Sequence, residues 1–190
     1  MGTHGYAGLN RLLNGSMAEA VMRRADVPVM AVHERLDPPK YSRILVPHNM
    51  TPYADKALAY ALDFAKGNNS TLEVLHVTAH NGLYKARAAQ GLSSHLISIV
   101  GKRRTPKINL RIMSGDPREA ILVEAKRGKF DLIILSAHKK PLLKDFIMGS
   151  TAERVLRHAP IPVLCVPSAG TNKWSDAMTE LIPRPQTIFI

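Results

Sequence analysis

From Tyr41 onward the spacing of apolar residues switches between a period of two and a period near 3.6. Arg43 to Pro47 (RILVP) and Thr71 to Val77 (TLEVLHV) are short aliphatic and β-branched runs, which predict strands. Between them Ala54, Ala57, Leu58, Ala61, Leu62 and Ala65 recur at helical spacing, so the first unit reads strand, helix, strand. A second helical stretch over 83–100 leads to the strand Ile108 to Met113. The turn Gly115-Asp116-Pro117 then opens a helix through Ala120, Ile121 and Val123 to Ala125, stopped near Gly128. Leu132 to Leu135 is apolar on both faces, as a central parallel strand must be. A last helix from Ser150 places Ala152, Val155, Leu156 and Ala159 on one face, and Pro162 to Val166 reads as the last strand. This alternation predicts an α/β domain with a mainly parallel sheet and right-handed crossovers.

One stretch of this pattern occurs twice. Gly15 to Val32 (GSMAEAVMRRADVPVMAV) returns as Gly149 to Val166 (GSTAERVLRHAPIPVLCV), at an offset of 134 residues. The second copy follows more than a hundred residues of strand and helix signals and the first has almost none before it, so 1–40 reads as the C-terminal remnant of a first domain plus a linker. Residues 41–168 read as a complete domain and 169–190 as a tail. In the tail, Ser175 is placed to cap a short helix carrying Met178, Leu181 and Ile182, ended by Pro183.

Composition narrows the classes. The 45% hydrophobic and 22% charged residues are ordinary for a soluble globular protein, and no apolar run approaches the roughly 18 residues of a membrane span. The start carries no signal-peptide pattern, and the single cysteine, Cys165, excludes an internal disulfide and suits a reducing cytoplasm. The net charge of +11 is concentrated in 41–167, with nineteen basic and nine acidic residues. Clusters at Lys102, Arg103, Arg104 and Lys107, at Lys126, Arg127 and Lys129, and at Lys139, Lys140 and Lys144 could draw phosphates. They lack interleaved aromatics and match no recognition helix, which argues against nucleic acid and for solvated loops.

Ligands of open α/β sheets bind beyond the carboxyl ends of the strands, where strand order reverses. That draws attention to the loop after Pro47 and the loop from Ser136 to Gly149. The first copy of the latter reads Gly2-Thr3-His4-Gly5, nine residues, then Gly15-Ser16. Glycines so spaced admit a phosphate chain to the backbone, and a Gly-Ser helix start offers amides and a hydroxyl to anionic oxygens. A ligand-free reading is equally concrete: Ser16 with Glu19, and Ser150 with Glu153, are S-x-x-E capping boxes.

At these residues the chain resembles the universal stress protein family. GTHG, nine residues, GS and AEAVMRRADVPVMAV look like the end of one such domain. Residues 41–167 look like a whole one, from ILVP through SGDPREAILVEA and FDLIILSAH to GSTAERVLRHAPIPVLCV. The resemblance implies a five-stranded parallel sheet in the order 3-2-1-4-5 with helices on both faces, and pairing through the last strands. It also implies an ATP site of the form Gly-x2-Gly-x9-Gly-Ser, with an aspartate after the first strand. The first copy has Gly2, Gly5, Gly15 and Ser16 without a sheet. In the complete domain the site is expected at Pro47, Asn49, Val77, Ser136, His138, Lys139, Gly149 and Ser150, but Ser136 and Lys139 replace the two leading glycines and Asn49 replaces the aspartate. Lys139 loses the close backbone approach, and Asn49 loses a charge while keeping an acceptor.

No cofactor is therefore firmly implied; ATP is the candidate. Replacement of 136–167 by 2–33 on the same sheet would complete a glycine-bearing site, but the first copy would have to borrow Leu132 to Leu135 while displacing their own continuation. The simpler expectation is a homodimer, or an intramolecular pairing of Pro28 to Val32 with Pro162 to Val166. His4, His48 and His138 fall near the loops without a metal-ligand spacing, and neither a carboxylate dyad nor a nucleophile elbow occurs. The expected function is a non-catalytic, cytoplasmic stress-response module that works by dimerisation and contact with a protein partner. The alternatives are an ATP-binding member with slow or no hydrolysis and a basic nucleic-acid-associated adaptor.

Overall fold

The computed structural model describes residues 21–22, 24–32, 40–79, 82–100, 106–137, 139–142 and 145–167. The chain folds as β1 (Val29–Ala31), β2 (Arg43–Pro47), α1 (Pro52–Asn68), β3 (Thr71–Thr78), α2 (Leu83–Val100), β4 (Ile108–Ser114), α3 (Pro117–Arg127), β5 (Leu132–Ala137), β6 (Lys139–Leu142), β7 (Asp145–Met148), α4 (Ser150–His158) and β8 (Val163–Pro167). The main sheet has six strands, in the order β1-β8-β5-β2-β3-β4. This corrects the expectation of five. The inner run β4-β3-β2-β5-β8 is all parallel, and β1 adds an antiparallel edge strand to β8.

The period-2 alternation sorts the sheet into two faces. Ile44, Val46, Leu72, Val74, Leu132, Ile134, Leu164 and Val166 meet the buried stripe of α1 (Ala57, Leu58, Ala61, Ala65) and Leu92 and Leu96 of α2. Leu45, Leu75, Ile133, Leu135, Val163 and Cys165 point the other way, against Ile121 and Ala125 of α3 and Ala152, Val155 and Leu156 of α4. Both faces are covered, so the central strands are apolar throughout. Among the described residues no helix is long and apolar enough to cross a membrane.

Helix boundaries follow from local chemistry. Thr51 caps α1, its side chain accepting from the Ala54 amide, and Pro52 stands at the first turn, where its missing N–H costs nothing. Asn69 ends that helix in the left-handed region, φ 53°. Asp116 caps α3 through the Arg118 amide at 2.8 Å, and Gly115 before it takes φ 121°, a conformation that disfavours any side chain. The capping box expected at Ser150 does not form. Gly149 is the N-cap and supplies no side chain, Ser150 is already helical, and Glu153 pairs with Arg157 at 2.7 Å instead.

The segment between β5 and α4, read as a loop, holds a two-stranded antiparallel hairpin. Lys139 faces Met148 and Leu142 faces Asp145 in the β6–β7 ladder. Ser136, also assigned to the loop, lies inside β5, opposite Val166 of β8.

The pairing of β1 with β8 relates the two copies of the repeat. Val29 faces Cys165, Met30 faces Leu164 and Ala31 faces Val163. The offset of 134 makes Met30 the counterpart of Leu164, so the central residue pairs with its own equivalent. That is the register of a two-fold interface, realised here within one chain.

Candidate functional site

The parallel strands set the geometry. Pro47 ends β2, Val77 is the penultimate residue of β3 and Ser136 that of β5, so adjacent strands bring all three to the carboxyl edge of the sheet. Asn49 lies two residues beyond β2, and the start of α4 at Gly149 and Ser150 faces the same edge because α4 must run back to begin β8. Gly2, Gly5, Gly15, Ser16 and His138 lie outside the described residues.

Within this edge several groups are committed to internal bonds. The Asn49 side-chain oxygen accepts from the Thr51 hydroxyl at 2.6 Å, and Thr51 caps α1. Asn49 thus spends its one side-chain acceptor on the turn that starts the helix, and it lacks the charge and the second acceptor oxygen of an aspartate. Lys139 opens β6, and its backbone belongs to the hairpin register. By contrast, an added Cβ on Gly149 would meet nothing within 4 Å, and Gly149, the N-cap of α4, makes no side-chain cap bond, so the helix start carries no capping side chain of its own. The Ser136 hydroxyl is buried with no hydrogen-bond partner among the described residues.

Beside this edge the structure assembles a group whose parts are scattered in sequence. His48 follows β2, Asp55 sits in the first turn of α1 and His95 is in α2. Asp55 Oδ1 lies 3.0 Å from His48 Nε2 and 2.7 Å from His95 Nε2. Protons can be placed from the fixed donors. The Met50 amide donates to His48 Nδ1 at 3.1 Å, so that nitrogen carries a lone pair, the Nε2 proton remains, and Nε2 donates to Asp55. His76 Nδ1 lies 2.8 Å from the His48 carbonyl oxygen and is therefore its donor. The His48 amide in turn donates to the Leu75 carbonyl at 2.8 Å, extending the β2–β3 ladder by one rung.

The His48 side chain is fully buried, whereas Asp55 and His95 remain 28% and 30% exposed. Burial pushes the His48 imidazole below its ordinary value; the Asp55 carboxylate pulls the other way and is the smaller effect. His48 is thus held neutral as a structural donor, while Met50, on the same loop, takes a left-handed φ of 57°. In the sequence His48 stands near the loop without a second histidine at a metal-ligand spacing. His95 is forty residues from Asp55 and their approach depends on α2 lying beside α1. A helical i,i+3 or i,i+4 search cannot find such a triad; the one local signal was a histidine ending a buried strand seven residues before an aspartate.

Cys165, in β8, is buried and its thiol is pushed up to about 12 by desolvation, so it is inert at neutral pH.

A sequence model described as the universal stress protein family matches residues 1–33 and 40–167. The chain belongs to that family. It is 26% identical over 178 residues to a universal stress protein of Mycolicibacterium smegmatis, covering 87% of this chain and 60% of that protein. Against universal stress protein MJ0531 of Methanocaldococcus jannaschii it is 28% identical over 140 residues, covering 66% of this chain and 82% of the relative. Among solved structures, a universal stress protein from Archaeoglobus fulgidus superposes with a TM-score of 0.66 at 26% identity, covering 88% of this chain and 59% of that one. The chain spans about three fifths of the mycobacterial relatives it matches. Two further family structures, at 20% identity, are described as complexes with cAMP and with dAMP; at that identity the likeness speaks for the fold.

Proposed function

We propose that this chain is a non-catalytic stress-response module acting through self-association and contact with a protein partner, with a nucleotide site too altered for tight ATP binding. The observation that carries this reading is the paired hairpin over 139–148, which begins with Lys139 where the family pattern has a glycine. A phosphate cradle needs several backbone amides pointing at the ligand together, and a ladder turns part of them towards its own carbonyls. The bond from the Thr51 hydroxyl to Asn49 supports the same conclusion from the other side of the cleft.

A second reading, nucleotide binding without hydrolysis, draws on the uncapped start of α4 at Gly149 and Ser150 and on the unpartnered Ser136 hydroxyl. Calorimetric titration of the full chain with ATP separates the two. The first reading expects no saturable heat. Saturable binding that disappears in Gly149→Trp, with the circular dichroism spectrum unchanged, establishes the second and removes the first.

A further inference from the structure

We propose that His48, Asp55 and His95 form a binding site for one divalent transition-metal ion of the zinc, cobalt or nickel class. Among the described residues this is the one group of three or more histidine, cysteine and acidic side chains whose ligand atoms lie close together, all within 4.8 Å. Two imidazoles and one carboxylate are the donor set these borderline ions favour over magnesium or calcium, which prefer oxygen. Three protein ligands leave one or more positions for water. The part exposure of Asp55 and His95 provides the opening through which an ion and that water enter.

The apo arrangement is close to what ligation needs. Asp55 Oδ1 is 3.0 Å and 2.7 Å from the two Nε2 atoms. Two ligands each about 2.1 Å from a common ion at a tetrahedral or octahedral angle are roughly 3–3.4 Å apart. Small outward movements suffice on those two edges, while on the third the two imidazoles, within 4.8 Å of each other, must draw together, a movement that falls to the part-exposed His95. The fully buried His48 is anchored by the sheet through its own amide and carbonyl, so it supplies the fixed corner and the exposed residues adapt.

Ligation has a definite proton consequence. In the apo state both Nε2 atoms face the carboxylate, and each must offer a lone pair to the ion. At His48 the single proton moves from Nε2 to Nδ1, so that imidazole releases none. At His48 that move opposes the Met50 amide, which now donates to the same Nδ1. Two donors cannot face each other, so ion binding must turn the Met50 amide away and rearrange the strained turn at 49–50. The net charge of +11 works against cation capture from a distance, so the affinity has to come from ligation at contact. The triad shares the 48–51 turn with Asn49, but its test reads metal binding alone and does not rest on the nucleotide reading.

The test is a cobalt(II) titration of chelator-treated full chain, read by the visible absorption of the bound ion and repeated with zinc by calorimetry. One equivalent is expected, with affinity lowered at least about tenfold in both Asp55→Asn and His95→Gln, since even outer-shell losses cost that much. His158→Gln, a histidine remote from the triad in sequence and on the exposed side of α4, should bind as the parent does. Nitrogen NMR of the imidazoles should show the His48 proton moving from Nε2 to Nδ1 on zinc binding, together with loss of protection at the Met50 amide. No saturable binding by the parent overturns the proposal. So does binding that survives in both folded triad variants, or that falls equally in His158→Gln.

Discussion

The two copies of the repeated segment have nearly the same apolar pattern and meet different surroundings. In the second copy, β8 lies between β5 and β1, and Val155 of α4 is completely buried. In the first, β1 is the edge of the sheet, and Val21, the counterpart of Val155, is 38% exposed. Met22, counterpart of Leu156, is nonetheless buried, as is Ala31, counterpart of Cys165. In the edge copy Met22 and Ala31 are buried in the core they share with Val155, Leu156 and Cys165, while Val21 is left exposed. Burial is decided by the number of layers a side chain meets, which two similar sequences can experience differently.

The largest test of this comparison is in the strands. Leu164→Ala should cost about 3 kcal/mol in urea unfolding, the usual range for a buried leucine. Met30→Ala, its half-buried equivalent, should cost roughly 1 kcal/mol. Equal losses would mean that β1 is as central to the fold as β8.

In the helices the same contrast should be smaller. Val155→Ala is expected to lose about 2 kcal/mol, and Val21→Ala less than about 0.5 kcal/mol. A loss at Val21 matching that at Val155 would show that another surface covers Val21.

Kinetics sharpen the picture at the buried pair Ala31 and Cys165. With its thiol raised to about 12, Cys165 binds its proton in the folded state above the range where an unfolded cysteine, near 8.5, has lost it. Its contribution therefore falls as pH rises from about that unfolded value towards 12, and Cys165→Ala should flatten this alkaline part of the stability profile. At neutral pH a thiol reagent should label Cys165 only through global unfolding. A cysteine introduced as Ala31→Cys in the Cys165→Ala background should label faster, because an edge strand opens locally. Identical labelling rates would contradict the difference between the copies.

The smallest effect concerns the ion pair between Arg157 and Glu153 at i,i+4. The first copy carries the same pair of residue types, Arg23 and Glu19. Arg157→Gln should cost only about 0.3–0.5 kcal/mol, lost in high salt. A much larger loss would attribute the stability of the second copy to charge where burial is held responsible above.

Most of the fold was legible because its signals are local. The alanine stripe of α1 gave its buried face to within one residue: Leu62 proved partly buried, the others fully. Gly115-Asp116-Pro117 opened α3 as read, since cap chemistry depends on adjacent residues. The sites were less legible. The S-x-x-E pattern at Ser150 suggested a capping box, but Gly149 took the cap position and Glu153 found Arg157; which of two short-range partners wins depends on where the helix starts. The hairpin over 139–148 was hidden because β6 carries two lysines and a proline and neither strand shows a clean alternation. The histidine–aspartate triad was hidden because its members come from three elements.

Sequence by itself determined the alternation of strands and helices, the two-faced sheet, the repeat and the family, since each rests on periodicity or on spacing within a short window. Tertiary structure decided the sixth strand and the meeting of His48, Asp55 and His95. The reason is that hydrophobic period specifies which face of an element is buried, whereas contacts between elements depend on how those faces are stacked, and that stacking is settled by the whole core at once.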